Sequence, residues 1–281
     1  VPIMAYLGGD PRGVAIDARG NQYAVVMTAQ PYPPIYTGGG VISAFAGVDT
    51  SADSGVPIIQ VFNANGTKSS NIVNIMGKGT LFSDSGQVQG RACVFMSNGN
   101  VALNFWDKKT PPGGVTGDRW PGYEGTGQVV GISVISPNGT IVVPPTPIST
   151  PTVGGNAQTM RGMAAGNGWF CCRFQDSDGV VKYSIFNDAG SKVRDIIPAE
   201  VIDAAMEGGL GTAIAGGRGD SELIYGQGDF LYAIGKANGA TFVMKFNAMA
   251  GTLVKITEAS SAGNQGERMD ICADANGNVF A

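Results

Sequence analysis

Short runs of β-branched and aromatic residues fill this chain, and clusters of Gly, Asn and Asp separate them. Such runs, bounded by turn residues, read as β-strands, and long windows of helical spacing are missing. One pattern recurs. Arg12 leads Gly13-Val14-Ala15-Ile16-Asp17, followed by a turn at Gly20-Asn21 and a second run from Gln22. Arg91 leads Ala92-Cys93-Val94-Phe95-Met96, with a turn at Asn98-Gly99-Asn100. Arg161 leads Gly162-Met163-Ala164-Ala165-Gly166 into Asn167-Gly168, and Arg268 leads Met269-Asp270-Ile271-Cys272 into Asn276-Gly277. A degenerate copy occupies 222–232. Each copy predicts strand, tight turn, strand, because Gly and Asn tolerate the positive φ of hairpin turns.

A second hairpin alternates with the first, at 59–67, 133–140, 183–191 and 243–252. The repeating unit is therefore four strands. Four full units are present, with the opening of a fifth at 268–281. Four-stranded units repeated in this way predict an all-β β-propeller of four-stranded antiparallel blades. Five blades are expected, the last incomplete or closed by a strand from 1–7, in one propeller domain spanning 1–281. The chain starts at Val1 without an initiator Met, so a trimmed chain or a fragment is expected, or a partner chain that finishes the fifth blade.

Asp10-Pro11-Arg12-Gly13-Val14-Ala15-Ile16-Asp17 through Gly20-Asn21-Gln22-Tyr23, followed by Ile59-Gln60-Val61-Phe62-Asn63, resembles an NHL-type propeller repeat. Tyr6-Leu7-Gly8-Gly9 and Phe242-Val243-Met244-Lys245-Phe246-Asn247 resemble the related SBBP repeat of bacterial surface proteins. The resemblance touches most of the chain and is strongest in units one, four and five. It implies a fold and a binding role and brings no catalytic residues, since propellers host many functions.

In a propeller, the connections between second and third strands share one face with the connections between blades. Units one and two carry long insertions there, roughly 28–56 with Tyr32 and Tyr36, and 107–128 with Trp120 and Tyr123. Long insertions on a rigid scaffold are where binding residues concentrate. Their aromatic rings suit sugar or protein partners, or else pack the insertions themselves. Arg12, Arg91, Arg161 and Arg268 each enter the first strand of a blade from that same face. They are candidate ligand-binding residues around a channel mouth, forming an anion site. The competing reading has each guanidinium bonding carbonyls or carboxylates of a neighbouring blade. One helix is predicted, from Pro198 to a stop at Gly208-Gly209.

Composition then removes function classes. Histidine is absent, which excludes His-based triads, His-containing zinc sites and imidazole proton shuttles. The 18 basic and 22 acidic residues give a net charge of −4, so non-specific nucleic-acid binding is not expected. No run of about 18 apolar residues exists, and no membrane insertion is expected. Cys93, Cys171, Cys172 and Cys272 lack metal-ligand spacing, sit in apolar runs and are expected to be buried free thiols. Asp176-Ser177-Asp178-Gly179 and Asp274-Ala275-Asn276-Gly277 resemble parts of calcium loops but lack the downstream Glu, so they read as hairpin turns. No metal and no cofactor is expected. Asn65-Gly66-Thr67 and Asn138-Gly139-Thr140 fit the glycosylation sequon and are also hairpin turns.

A five-bladed glycoside hydrolase is the enzymatic alternative. It needs paired carboxylates at the channel mouth, and Asp10, Glu124 and Glu222 are the weak candidates for them. The expectation is instead a non-enzymatic module on a cell surface or outside the cell, with a protein or glycan partner. A virion structural protein, such as a phage tail or capsid-decorating component, is the other placement, with homo-oligomer or particle assembly.

Overall fold

The computed structural model describes residues 10–29, 56–75, 88–107, 128–150, 157–206, 208–215, 224–260, 271–274 and 278–280. They form four four-stranded antiparallel sheets whose spatial order follows chain order. The first contains β1 (Asp10–Ile16), β2 (Gln22–Ala29), β3 (Val56–Asn63) and β4 (Val73–Asn74). The second contains β5 (Val88–Phe95), β6 (Val101–Asp107), β7 (Val129–Ile135) and β8 (Ile141–Pro147). The third contains β9 (Gln158–Gly166), β10 (Trp169–Gln175), β11 (Val181–Asn187) and β12 (Lys192–Ile196). The fourth contains β13 (Ile224–Gln227), β14 (Phe230–Ala237), β15 (Ala240–Asn247) and β16 (Thr252–Ser260). A hairpin of β17 (Cys272–Ala273) and β18 (Val279–Phe280) follows. The repeats seen in the sequence coincide with these sheets, so the all-β, four-stranded expectation describes the chain.

Turn chemistry explains the regularity. In the β7–β8 turn, Gly139 N–H donates to Ser136 O and Ser136 N–H to Thr140 O, with Gly139 at φ 89°. That is a type I turn closed by a left-handed residue, where a Cβ would clash with the backbone. The β3–β4 and β11–β12 turns repeat these bonds around Asn63 and Asn187. The sequon asparagines serve the same turns: Asn65 Oδ1 accepts from Thr67 N–H at 3.0 Å, and Asn138 Oδ1 from Thr140 N–H at 3.2 Å. The β14–β15 connection is shorter still, an Asn238-Gly239 turn with φ of 52° and 80°.

The chain divides into two compact units. The first comprises Val1–Phe95 and Gly99–Gln158, the second Met96–Asn98 and Thr159–Ala281. In the first unit, Ala15, Ala24, Val26, Ile59 and Val61 on one face of the β1–β4 sheet pack against Cys93, Phe95, Val101, Leu103 and Ile135 on the β5–β8 sheet. The Cys93 thiol lies on the β1–β2 backbone and donates to Ala24 O at 3.8 Å. In the second unit, Trp169, Cys171, Tyr183 and Ile185 pack against Leu231, Ala233, Met244 and Phe246. The Trp169 indole N–H donates to Gly228 O at 2.8 Å, and the Tyr183 and Phe246 rings meet edge to face. The opposite face of the β13–β16 sheet, with Tyr232 and Ile234, carries Ile271 and Val279 of the last hairpin.

The predicted helix is α1 (Pro198–Ala205), with Pro at its start. A second helix, α2 (Leu210–Ala215), was not anticipated, because Gly208-Gly209 reads as a stop. The Asp203 carboxylate restarts it by accepting from the Gly211 and Thr212 N–H groups at 2.6 and 3.2 Å and from the Thr212 hydroxyl at 2.7 Å. A carboxylate from one helix thus caps the next. Among the described residues, no helix is long and apolar enough to cross a membrane. One thiol corrects the sequence reading: Cys93, Cys171 and Cys172 are buried, but Cys272 is exposed. It pairs with Phe280 in a two-residue strand whose outer face nothing covers.

Candidate functional site

The first unit has a defined end. Ser69 Oγ, beside the β3–β4 turn, donates to Pro137 O in the β7–β8 turn at 3.1 Å. Gly139 lies within van der Waals reach of Ser70 and Val73. The two sheets therefore run in the same sense, with equivalent turns together at one end. The chain leaves β2 at Ala29 and re-enters at Val56, and leaves β6 at Asp107 and re-enters at Gln128. Both departures lie at the opposite end. The 28–56 and 107–128 insertions are thus rooted side by side, on a floor of paired strands.

That floor is built from the sequence as follows. Asp107 pairs with Val88 and Val129 and is buried. The half-buried Trp106 indole N–H donates to Gln128 Oε1 at 3.0 Å, tying the two ends of the second insertion. The Phe105 ring lies over Gly131, where a Cβ would sit 2.1 Å from the ring carbon Cζ. The first strands carry a shared irregularity. The register of β1 against β2 shifts between Pro11 and Gly13, and that of β5 against β6 between Gly90 and Ala92. Arg12 and Arg91 are therefore the extra residues of two equivalent β-bulges, which re-aim a side chain out of the strand alternation. At the second bulge, buried Asn104 accepts from the Ala92 N–H at 2.8 Å. The bulges and Asp10, which pairs with Thr28, lie at the end where the insertions depart.

The backbone of Asp10, Arg12, Arg91 and Arg161 lies within β1, β5 and β9. The candidates Tyr32, Tyr36, Trp120, Tyr123, Glu124, Glu222 and Arg268 lie outside the described residues.

In the second unit the charged residues have structural employment. Arg173, absent from the sequence candidates, is fully buried in β10, and Gly162 of β9 clears space for it, since a Cβ there would sit 2.9 Å from the Arg173 Cβ. An alternating strand whose inward positions include one Arg was the available signal. Asp176 accepts from Lys182 Nζ at 2.5 Å. Burial works against the Lys182 charge, but the bond to Asp176 and the charges of Asp176, Asp178 and Asp195 raise its pKa above the ordinary lysine value. Asp178 accepts from the Val180 N–H at 2.9 Å, and Asp274 from the Asn278 N–H at 2.8 Å. Both calcium-like stretches are thus capped hairpin turns, as expected. Among the described residues, no group of three or more His, Cys, Asp or Glu could hold a metal ion. Burial pushes the Cys93 thiol up to about 12, and it raises Cys171 well above its ordinary value, so both are neutral and unreactive in the fold.

No protein-family model matches this chain, and no curated protein does. Solved structures similar to it include the polysaccharide lyase Uly1, at 7% identity and TM-score 0.48, over 95% of this chain and 52% of that one. The Hadza microbial sialidase Hz136 is similar at 12% identity and TM-score 0.43, over 88% of this chain and 45% of that one. The Dos1 propeller is similar at 8% identity and TM-score 0.38, over 90% of this chain and 61% of that one. This chain spans less than two thirds of each. None of these likenesses assigns a family or an activity.

Proposed function

We propose that this chain is a non-enzymatic β-propeller interaction module, five-bladed and built of NHL/SBBP-like repeats, displayed on a surface. It binds protein or glycan through the end of the sheets from which its two insertions depart. The observation that carries this reading is the shared root of those insertions in the first unit, where the Arg12 and Arg91 bulges also lie. Equivalent hairpins at the other end are reduced to short turns, and β14–β15 needs only Asn238-Gly239. Chain length is thus spent at one place, as in scaffolds that bind through their connections. The rings of Tyr32, Tyr36, Trp120 and Tyr123 are the contact candidates, and the guanidiniums of Arg12, Arg91, Arg161 and Arg268 supply charge for an anionic or hydrogen-bonding ligand.

The test is a glycan array, with a panel of surface proteins beside it, probed with the full chain and with a Trp120→Ala/Tyr123→Ala double variant. Binding by the parent chain and its loss in a variant with unchanged far-UV circular dichroism support the reading. Release of free sugar from any bound glycan would overturn it in favour of a glycoside hydrolase. Binding that survives the double variant and replacement of 108–127 by Asn-Gly would place the contact elsewhere.

A further inference from the structure

The sheets have two unlike faces, and they stack in one sense. In the first unit the face bearing Ala15 and Ala24 meets the next sheet's face bearing Cys93 and Phe95. In the second, the face of β10 bearing Trp169 and Cys171 meets that of β14 bearing Leu231 and Ala233. The other face of β14, with Phe230 and Tyr232 at the positions of Trp169 and Cys171, meets Ile271 and Val279. Each sheet therefore presents a front, which covers the back of the sheet that follows.

Register identifies two faces left over. Aligning the Arg12 and Arg91 bulges makes Val14 the equivalent of Cys93 and Ile16 that of Phe95. Cys93 and Phe95 are buried backs, but Val14 is 60% exposed and Ile16 69% exposed, with Tyr23, Val25 and Phe62 half-buried beside them. Tyr23 and Phe62 stack at 5.0 Å and extend this apolar row across three strands. At the last hairpin, Ala273 precedes Asp274 as Ile16 precedes Asp17, so Cys272 and Phe280 are the equivalents of Ala15 and Ala24. They form a front, and it is bare: Phe280 is 58% exposed and Cys272 exposed. An uncovered back and an uncovered front are complementary by the rule that the other sheets obey.

We infer that the Val14/Ile16 face of β1–β2 docks the Cys272/Phe280 face of β17–β18 from a second copy of this chain. The contact is heterologous, one patch against a different one, so each bound copy leaves a free face of either kind and association continues head to tail. Burial of apolar side chains drives it, and no charged residue lies in the rows that meet. The inference is independent of the insertions and uses none of their residues.

Sedimentation velocity and light scattering across a dilution series of the full chain test it, with reductant present to exclude disulfides through Cys272. Mass is expected to rise with concentration and to pass beyond a dimer. Ile16→Asp and Phe280→Ser, each at an exposed position, should weaken association by about tenfold or more with unchanged melting temperature. Val14→Lys is a second probe of the same face. Mixing Ile16→Asp with Phe280→Ser leaves one sound front and one sound back, so the mixture should stop at a dimer. A chain that stays monomeric at every concentration overturns the inference, as does a parent dimer that never grows. A mixture that stays monomeric, or Ile16→Asp lowering the melting temperature of a monomer, overturns it as well.

Discussion

Gly226→Ala adds one methyl group where two sheets of the second unit touch through backbone. Gly226 lies in β13, paired with Leu231, and its missing Cβ would sit 2.3 Å from the Ala165 carbonyl oxygen and 2.8 Å from the Ala165 nitrogen. The approach is mutual, since a Cβ on Gly166 would sit 2.2 Å from Gly228 O and 2.5 Å from the Trp169 ring. The obstruction is backbone, so no rotamer change relieves it. Restoring ordinary contact separates β9 from β13 by roughly 1 Å, an overpacking that costs about 1–3 kcal/mol. The same shift strains the Trp169–Gly228 hydrogen bond, which contributes about 1 kcal/mol. Against this, the unfolded chain loses freedom, a gain of about 0.4–1 kcal/mol. The balance is a loss of roughly 2–3 kcal/mol.

Urea unfolding followed by circular dichroism measures it, with Gly20→Ala as the control. Gly20 has φ +69° and no atom within 4 Å of its Cβ position, so that substitution meets only the left-handed backbone penalty of about 1–2 kcal/mol. Gly226→Ala should lower the urea midpoint further than Gly20→Ala. Equal shifts would refute the close approach of β9 to β13, and with it the stacking sense assigned to that unit.

Other expectations follow from the same geometry. A thiol reagent should label Cys272 alone in the native protein, and all four cysteines only in denaturant. Because burial raises the Cys93 pKa to about 12 and that of Cys171 well above 9.0, the fold holds protons that the unfolded chain releases. This contribution is intact below pH 9 and falls as pH rises towards 12, by about 1.4 kcal/mol per unit for each thiol. Cys93→Ala should flatten that alkaline slope. The Thr212 hydroxyl, with the Gly211 and Thr212 amides, holds the Asp203 carboxyl below its usual range. Its contribution is therefore present above the ordinary carboxylate pKa and lost as pH falls through the lowered one, so the melting difference between parent and Asp203→Asn should narrow in acid. Arg91→Ala should weaken an anionic or glycan ligand without lowering the melting temperature; an equal loss of stability would assign Arg91 to holding the fold.

The strands and turns were legible because each turn writes itself locally, through Asx or Ser at its start and Gly at its left-handed position. Asn63, Ser136 and Asn187 show that logic three times. The Arg-led repeat was legible as well, but its meaning in three dimensions was not. That Arg12 and Arg91 sit in bulges depends on the partner strand's register, which no run of adjacent residues encodes. The helix α2 was hidden because its cap, Asp203, comes from another helix. Cys272 was misjudged because an apolar run does not say which of its faces a neighbour covers. The candidate site was legible as the place where insertions interrupt a regular period. Buried Asp107, Asn104 and Arg173 escaped notice, since polar residues inside strands look like surface positions until a second sheet is laid over them.

Sheet edges narrow where this protein can associate. An exposed outer strand invites pairing with another chain unless something blunts it. Each sheet here has a different remedy. The first ends in the two-residue β4. The second ends in β8, where Pro144, Pro145 and Pro147 remove amide donors from the ladder. The third ends in the exposed β12, with Lys192 paired to Asp195 at 2.7 Å and Arg194 bonded to Ala250 O. The fourth ends in β16, which carries Lys255 and Glu258 on exposed positions. Four unrelated devices with one effect argue that edge-to-edge pairing is disfavoured throughout. Association is then left to the faces and to the end where the insertions are rooted. The bare Val14/Ile16 and Phe280 faces have no such protection, as a surface meant to be covered requires.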